Sequence, residues 1–275
     1  MTKQTILMCA PEHFGVDYVI NPWMQDNRGK TDQALAHRQW DGLRQALARH
    51  AEIALLPPQP KLPDMVFTAN AGLAVGRQFI PSNFRHKERA GEAPHFARWM
   101  EERGYQISWL PNDYYFEGEG DALFAGDTLF CGYKFRSDIN SHRAVAEMLE
   151  CLAVSVELVD PRFYHLDTCF CPLPDGAVIW FPAAFDEYGQ KAVREHVSDL
   201  IEVAPEEAMH FCCNAVSLDR DIVLPQGAPK LVVKLQERGY RCHQLAMTEF
   251  IKAGGACKCL VMFMPQRENA QSEMA

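Results

Sequence analysis

The stretch AGGACKCL (253–260) sets two cysteines around one lysine, directly after a glycine pair. A cysteine acts as a nucleophile through its thiolate, which a nearby histidine or a positive environment favours. YHLDTCFC (164–171) supplies a histidine with a carboxylate two residues on, His165 and Asp167. Histidine titrates near neutral pH and suits proton transfer. On a strand these two side chains would share one face. For His165 taken alone, a hydrogen-bonded core residue is the plainer reading. FEGEGDALF (116–124) crowds Glu117, Glu119 and Asp121 between glycines at the entrance to an apolar strand. Carboxylates there could bind a cation or orient a histidine, and the glycines let backbone approach a ligand. A solvated acidic turn is the alternative.

VINPWM (19–24) holds Asn21, and VFTANAG (66–72) holds Asn70 within an apolar run read as a strand. Asparagine is depleted in strands and buried amides need partners. Asn70 is thus tied to backbone or faces a ligand, and its place in the repeat described next favours the ligand. FRHKERAGE (84–92) carries Arg85 and Arg89, and YKFRSD (133–138) carries Arg136. Loop arginines can fork onto a carboxylate, although most are simply solvated. A metal site of His165 with Cys169, Cys171, Cys212, Cys213, Cys257 and Cys259 is a competing arrangement. The spacings are C-x-C and C-C, not paired C-x₂-C knuckles, so no metal is expected.

The elements that would position these groups repeat. VFTANAGLAVG (66–76), GEGDALFAGDTLFCGY (118–133), YHLDTCFCPLPDGAVIWFP (164–182), CCNAVSLDRDIVLP (212–225) and ACKCLVMFMP (256–265) look alike. Each puts a polar or reactive residue at the start of an apolar strand, and four continue through a turn into a second strand. The leading residues Asn70, Asp121, Asp167, Asn214 and Cys259 are 51, 46, 47 and 45 residues apart, a spacing typical of repeat architectures. Helical patterns at 88–103, 140–151, 192–199 and 229–238 lead to short strands at 107–110, 154–159, 200–203 and 241–245. A strand at 5–9, a helix at 31–50 and a strand at 53–56 precede the first hairpin. If strand 5–9 pairs with 259–264, the ring closes and the five leading residues surround one axis. An open α/β sheet is the ordinary alternative. Residues 1–265 read as one domain and 266–275 as a polar tail.

Formal net charge is -9, and no run of lysine or arginine exceeds two residues. That composition argues against nucleic acid or anionic membrane as partner and suits a cationic small-molecule substrate. The first residues lack a long apolar h-region, and no stretch is long and apolar enough for a membrane span. A cytoplasmic protein with reduced thiols is expected. Composition leaves room for a homo-oligomer.

The motifs DYVINPWM, DMVFTANAGL, HKERAGE, FEGEGDAL, FRSD, FYHLDTCFCPL and TEFIKAGGACKCL run in this order from residue 17 to 260. In them the chain resembles the guanidino-group-modifying superfamily, the penteins. This includes arginine deiminases, amidinotransferases and dimethylarginine dimethylaminohydrolases. Within it the similarity runs to the catalytic domain of ornithine-producing arginine dihydrolases. The resemblance implies a five-bladed α/β propeller of ββαβ units and an axial site for arginine without metal or cofactor. It implies Cys259 as nucleophile, His165 as general acid and base, and Glu117 as the carboxylate orienting His165. Asp167 would hold the guanidinium, Asn21, Arg89 and Arg136 the amino-acid end, and Asp121 joins the substrate-binding set. Asn70 stands where deiminase-like relatives carry aspartate, which points to a dihydrolase. E-G-E-G-D replaces the E-G-G-D of many relatives, so the roles of Glu117, Glu119 and Asp121 stay open. A deiminase or dimethylarginine hydrolase giving citrulline is the alternative, and a non-catalytic arginine-binding protein a more distant one.

Overall fold

The computed structural model describes residues 3–265; the expected tail at 266–275 lies outside them. Five three-stranded sheets follow one plan. Strand β1 (Thr5–Cys9) leads through helix α1 (Gln33–Ala48) to β2 (Glu52–Leu56). The second unit is β3 (Gly72–Val75), β4 (Gln78–Pro81), α2 (Ala93–Glu101) and β5 (Gln106–Ile107). The third is β6 (Ala122–Ala125), β7 (Thr128–Tyr133), α3 (Ile139–Leu149) and β8 (Leu152–Glu157). The fourth is β9 (Phe170–Pro172), β10 (Val178–Trp180), α4 (Glu187–His196) and β11 (Leu200–Glu202). A short helix α5 (Pro205–Ala208) then precedes β12 (Val216–Leu218), β13 (Asp221–Pro225), α6 (Pro229–Glu237) and β14 (Arg241–Leu245). Helix α7 (Thr248–Ile251) and strand β15 (Met262–Met264) come last.

In the four internal units the first two strands pair antiparallel, and the third pairs parallel after its helix. A parallel partner requires such a crossover, whereas a hairpin needs only a tight turn. Gly76, with φ +56°, closes the two-residue link between Val75 and Gln78, where a left-handed backbone is needed. The fifth sheet takes its hairpin partner from the start of the chain. Thr5, Ile6 and Leu7 of β1 face Met264, Phe263 and Met262 of β15, the expected pairing.

The longest helix lays an apolar stripe on its sheet. On α1, Ala36, Trp40, Leu43 and Leu47 are buried, at the three-to-four-residue spacing of one helix face. Asp32 caps its start, accepting the Leu35 N–H at 2.9 Å. Two helices depart from their expected limits. Helix α4 begins five residues early, because Asp186 caps it through the Gly189 N–H at 2.7 Å. Helix α2 begins five residues late. Residues 86–92 form successive tight turns instead, with Arg89 buried among them.

The leading residues do not sit on strands. Asn70 lies in a 3-10 turn, Thr68–Ala71; Asp167 in Leu166–Thr168; Cys259 in Lys258–Leu260. Asp121 ends the turn Gly118–Gly120. The shared-face expectation for His165 with Asp167 therefore fails: the chain tightens before the strand starts. The reason is visible in the backbone bonds. Asn70, Asp121 and Asn214 donate to the carbonyls three residues back, Phe67, Gly118 and Phe211, so these buried N–H groups are satisfied locally rather than by a ladder.

Candidate active site

These turns pack against one another and bring their polar side chains together. Cys259 Sγ lies 3.2 Å from Asp167 Oδ2 and accepts from Asn214 Nδ2 at 3.1 Å. Asn214 Oδ1 accepts the Cys259 N–H at 3.1 Å, and Nδ2 also reaches the Asp167 carbonyl at 3.0 Å. One amide thus locks the cysteine turn to the aspartate turn. Burial, then the Asp167 charge, pushes the Cys259 thiol well above its ordinary pKa, and the Asn214 contact opposes this. Burial also lifts Asp167, to about 6, against the attraction of Lys258. Asp167 Oδ1 is buried and has no hydrogen-bond partner among the described residues.

His165 Nε2 is 2.8 Å from Glu117 Oε2. The same oxygen accepts from Arg136 Nη1 at 3.1 Å, and Oε1 accepts the Arg85 N–H at 3.2 Å. Burial alone would raise the Glu117 carboxyl, but the Arg136 charge and the His165 hydrogen bond outweigh it. The group stays well below the usual carboxylate range and is ionised. Arg136 stacks 4.5 Å over the Tyr164 ring and donates to the Ile20 carbonyl at 3.0 Å. Tyr164 Oη donates to the Gly254 carbonyl at 2.8 Å. Gly254 has φ +85°, and a Cβ there would stand 2.9 Å from Tyr164 Oη and 3.0 Å from Asn21 Oδ1. This is why the cysteine turn follows a glycine pair.

The other wall is built on Arg89. Its Nε and Nη2 fork onto Glu92 at 2.9 and 2.8 Å, Nη2 also reaches the Asp64 carbonyl at 3.1 Å, and Nη1 donates to Asn70 Oδ1 at 2.7 Å. Burial pushes Glu92 up and Arg89 pulls it down; the two-pronged contact is that of an ion pair. With Oδ1 taken by Arg89, Asn70 Nδ2 is left buried and without a partner among the described residues. Asn21 is bound through Oδ1 to the Trp23 and Met24 N–H groups and through Nδ2 to the Ala253 carbonyl. A narrow cavity lies between these walls, lined by Asn21, Asp64, Asn70, Arg89, Arg136 and Cys259 among others.

The three carboxylates of FEGEGDALF separate in space. Glu117 meets His165. Glu119 turns away to Lys258 Nζ at 2.8 Å and the Phe263 N–H at 3.1 Å. Asp121, expected among the substrate contacts, is tied down instead. Oδ1 accepts the Leu166 N–H, and Oδ2 accepts the Ser137 N–H and hydroxyl, the latter at 2.6 Å. Bonds to a carboxylate contribute roughly 1.5–3 kcal/mol each, yet burial still lifts this group to about 6. Gly120 between them is obligatory, because a Cβ there would collide with Asn70 Nδ2. A wider pocket beside Glu119 and Lys258 is lined by strands β3, β6, β9, β12 and β15. It does not reach Cys259, which lines the smaller cavity.

Sequence reasoning passed over several groups in this array. Asn214 was seen as a leading residue but given no role. Asp64, Glu92, Tyr164 and Lys258 were not singled out, although each lies beside a residue that was or within a quoted motif. Tyr18 Oη donates to Asp64 Oδ2 at 2.8 Å, which makes DYVINPWM and DMVFTANAGL two halves of one wall.

Residues 10–265 match the profile of the family described as N,N-dimethylarginine dimethylhydrolase, eukaryotic. The chain belongs to this family. Within the wider dimethylarginine dimethylhydrolase group it is 46% identical over 261 residues to the bifunctional arginine dihydrolase/ornithine cyclodeaminase ArgZ of Synechocystis sp.. That match covers 94% of this chain and 37% of ArgZ, so the chain spans little more than a third of that relative's length. It is 38% identical to the N(G),N(G)-dimethylarginine dimethylaminohydrolase of Mycobacterium tuberculosis, over 93% of this chain and 84% of that one. A crystal structure of the N-terminal domain of ArgZ, an asparagine-to-serine variant covalently bound to a reaction intermediate, superposes with a TM-score of 0.94 at 45% identity. It covers 96% of this chain and 98% of that one. Like that domain, this family member has an α/β fold. No helix among its described residues is long and apolar enough to cross a membrane.

Proposed function

We propose that this chain is an arginine dihydrolase, with Cys259 as nucleophile, and that residues 1–265 form one five-bladed propeller domain closed by the β1–β15 pairing. The observation that carries the chemistry is the Cys259 thiol held against Asp167, whose second carboxylate oxygen is buried and unpartnered. A planar cation such as a guanidinium supplies the missing donors. Its charge also offsets the one that keeps the thiol protonated, so substrate binding favours the thiolate.

Cys259 then attacks the guanidinium carbon while the carboxylates hold it in line. His165, oriented by ionised Glu117, gives a proton to departing ammonia and then draws one from water. The thiouronium opens to a ureido group. In a dihydrolase a second water-consuming round follows. Arginine and two waters become ornithine, carbon dioxide and two ammonia. Asn70 supports the second round: it lines the cavity with Oδ1 bound to Arg89, which leaves Nδ2, over Gly120, as an uncommitted neutral donor suited to a neutral ureido oxygen. Asn21, Arg89 and Arg136 are the candidates for the amino-acid end of the substrate, which occupies the cavity without a metal or cofactor. Asp121 and Asn214 position the turns.

The relative from Mycobacterium tuberculosis supports a second reading, in which methylated arginine is hydrolysed to citrulline. One experiment separates the two. Incubation with L-arginine, and separately with N,N-dimethylarginine, is followed by quantifying ornithine, citrulline, ammonia and dimethylamine. Ornithine with two equivalents of ammonia from arginine supports the dihydrolase. Citrulline as the end product overturns it.

A further inference from the structure

Away from the cavity, a second group of ionisable side chains converges where α1 packs against β13 and β14. Asp221 opens β13, and Arg241 faces it directly on β14, with His243 two residues on. Residues two apart on a strand share a face, and this face meets the end of α1, just beyond which lies His50. His50 Nδ1 is 3.3 Å from Asp221 Oδ2, and His243 Nε2 is 2.7 Å from Asp221 Oδ1. One ligand atom from each of the three residues lies within 4.8 Å of the others. We propose that His50, Asp221 and His243 bind a divalent transition metal ion that favours imidazole nitrogen, zinc being the representative.

Tetrahedral zinc takes nitrogen and oxygen ligands at about 2.0–2.1 Å, which sets ligand atoms about 3.3 Å apart. His50 stands at that distance from Oδ2 and His243 lies 2.7 Å from Oδ1, so the carboxylate must turn, or one ring shift, for a single ion to take both rings and an oxygen. The Asp221 side chain is 3% exposed, whereas the imidazoles are 27% and 32% exposed. The carboxylate thus forms the buried base, and the rings reach solvent at their outer edges. Their far nitrogens have no protein partner among the described residues and can carry the N–H, leaving the near nitrogens free to ligate. Water completes the shell from the open side.

The competitor is Arg241, whose Nε donates to Asp221 Oδ1 at 2.9 Å and whose Nη2 contacts Oδ2. That guanidinium already balances the carboxylate charge, yet two imidazoles converge on it as well. Its side chain is 64% exposed, so the guanidinium can turn to solvent when a metal takes the carboxylate. A bound metal displaces at least one prong and joins the end of α1 to the neighbouring sheet.

The test is titration of the metal-free protein with Co²⁺ and Zn²⁺, in the Cys259→Ser background to remove the cavity thiol. We expect one equivalent of Co²⁺ with d–d bands and no thiolate charge-transfer band. Zn²⁺ should raise the melting temperature. His50→Gln and His243→Ala should each lose that equivalent and the thermal shift. Arg241→Ala should tighten binding by about tenfold, since the guanidinium no longer competes for the carboxylate. Turnover of the His50→Gln protein with intact Cys259 should match wild type, and His50→Gln alone suffices should His243→Ala fail to fold. Unchanged stoichiometry in His50→Gln, or cobalt bound only with thiolate bands, overturns the proposal and leaves the cluster as an ion-pair network.

Discussion

Two C-x-C stretches, Cys169–Cys171 and Cys257–Cys259, place pairs of buried thiols beside the same set of turns. The first pair donates to carbonyls: Cys169 Sγ to Leu166 O at 3.5 Å and Cys171 Sγ to Ala215 O at 3.4 Å. A carbonyl rewards an S–H and repels a thiolate, so these sulfurs are fixed as thiols. Cys259 instead receives an N–H from Asn214 and faces a carboxylate at the wall of a cavity. Burial raises the pKa in both regions. What differs is that a cation entering the cavity can reverse the effect at Cys259, while Cys169 lines neither pocket. Reactivity here is a property of the neighbours, and the C-x-C spelling does not encode it.

The sharpest way to break that comparison is to exchange each sulfur for oxygen. Cys259→Ser should lower turnover by about 10³-fold or more, as losses of a nucleophile do. Cys169→Ser keeps a donor for its carbonyls and should stay within a few-fold of wild type. Equal losses would end the distinction. Asp167→Asn comes next. It should cost roughly 10²–10³ in turnover by removing the guanidinium anchor. The same change removes the charge that raises the Cys259 thiol pKa, so the free protein should react faster with iodoacetamide at pH 7.5. A raised pKa leaves thiolate scarce at neutral pH. Alkylation of wild-type Cys259 should therefore climb about tenfold per pH unit from pH 7 to 9. A flat profile measured by mass spectrometry would mean a preformed thiolate.

A smaller effect is expected across the cavity. Asn70→Asp can keep the Arg89 contact through one oxygen but replaces an uncommitted donor with a charge. Products should shift from ornithine toward citrulline by several-fold, read by chromatography, without loss of fold. An unchanged product ratio removes Asn70 as the determinant. The smallest effect belongs to Cys257→Ser, which should remain within about twofold of wild type, since Cys257 is buried in the core cluster around α1 and faces no cavity.

Much of this was legible in the residues. The repeat spacing located all five hairpins or their halves, and strands β1 and β14 appear at their expected limits, because apolar runs bounded by turn residues have few other ways to fold. The leading residues were legible as positions but not as conformations. His165 and Asp167 suggest a two-residue period, but a 3-10 turn of three residues leaves no period to read. Asp64 and Glu92 are hidden for another reason. Both matter through Arg89: Asp64 lies 25 residues away, where no local signature exists, and Glu92, three residues on, reads as an ordinary solvated pair until Arg89 is known to be buried. Glu119 beside Glu117 shows the limit most plainly: two glutamates separated by one glycine face a histidine and a lysine on opposite sides of one turn.

The pairing of β1 with β15 also governs timing. Its partners are separated by nearly the whole chain, Thr5 opposite Met264, whereas β3 and β4 meet across two residues. Closing a loop that long costs about 3 kcal/mol more in chain entropy than closing one of about ten residues, and such contacts form slowly. The turn that carries Cys259 runs straight into β15, so its sulfur meets Asn214 and Asp167 in register only once that last strand is anchored. During refolding from denaturant, helical signal should return before turnover does, and a thiol-blocking reagent added in the interval should trap Cys259 at the rate of an unstructured cysteine.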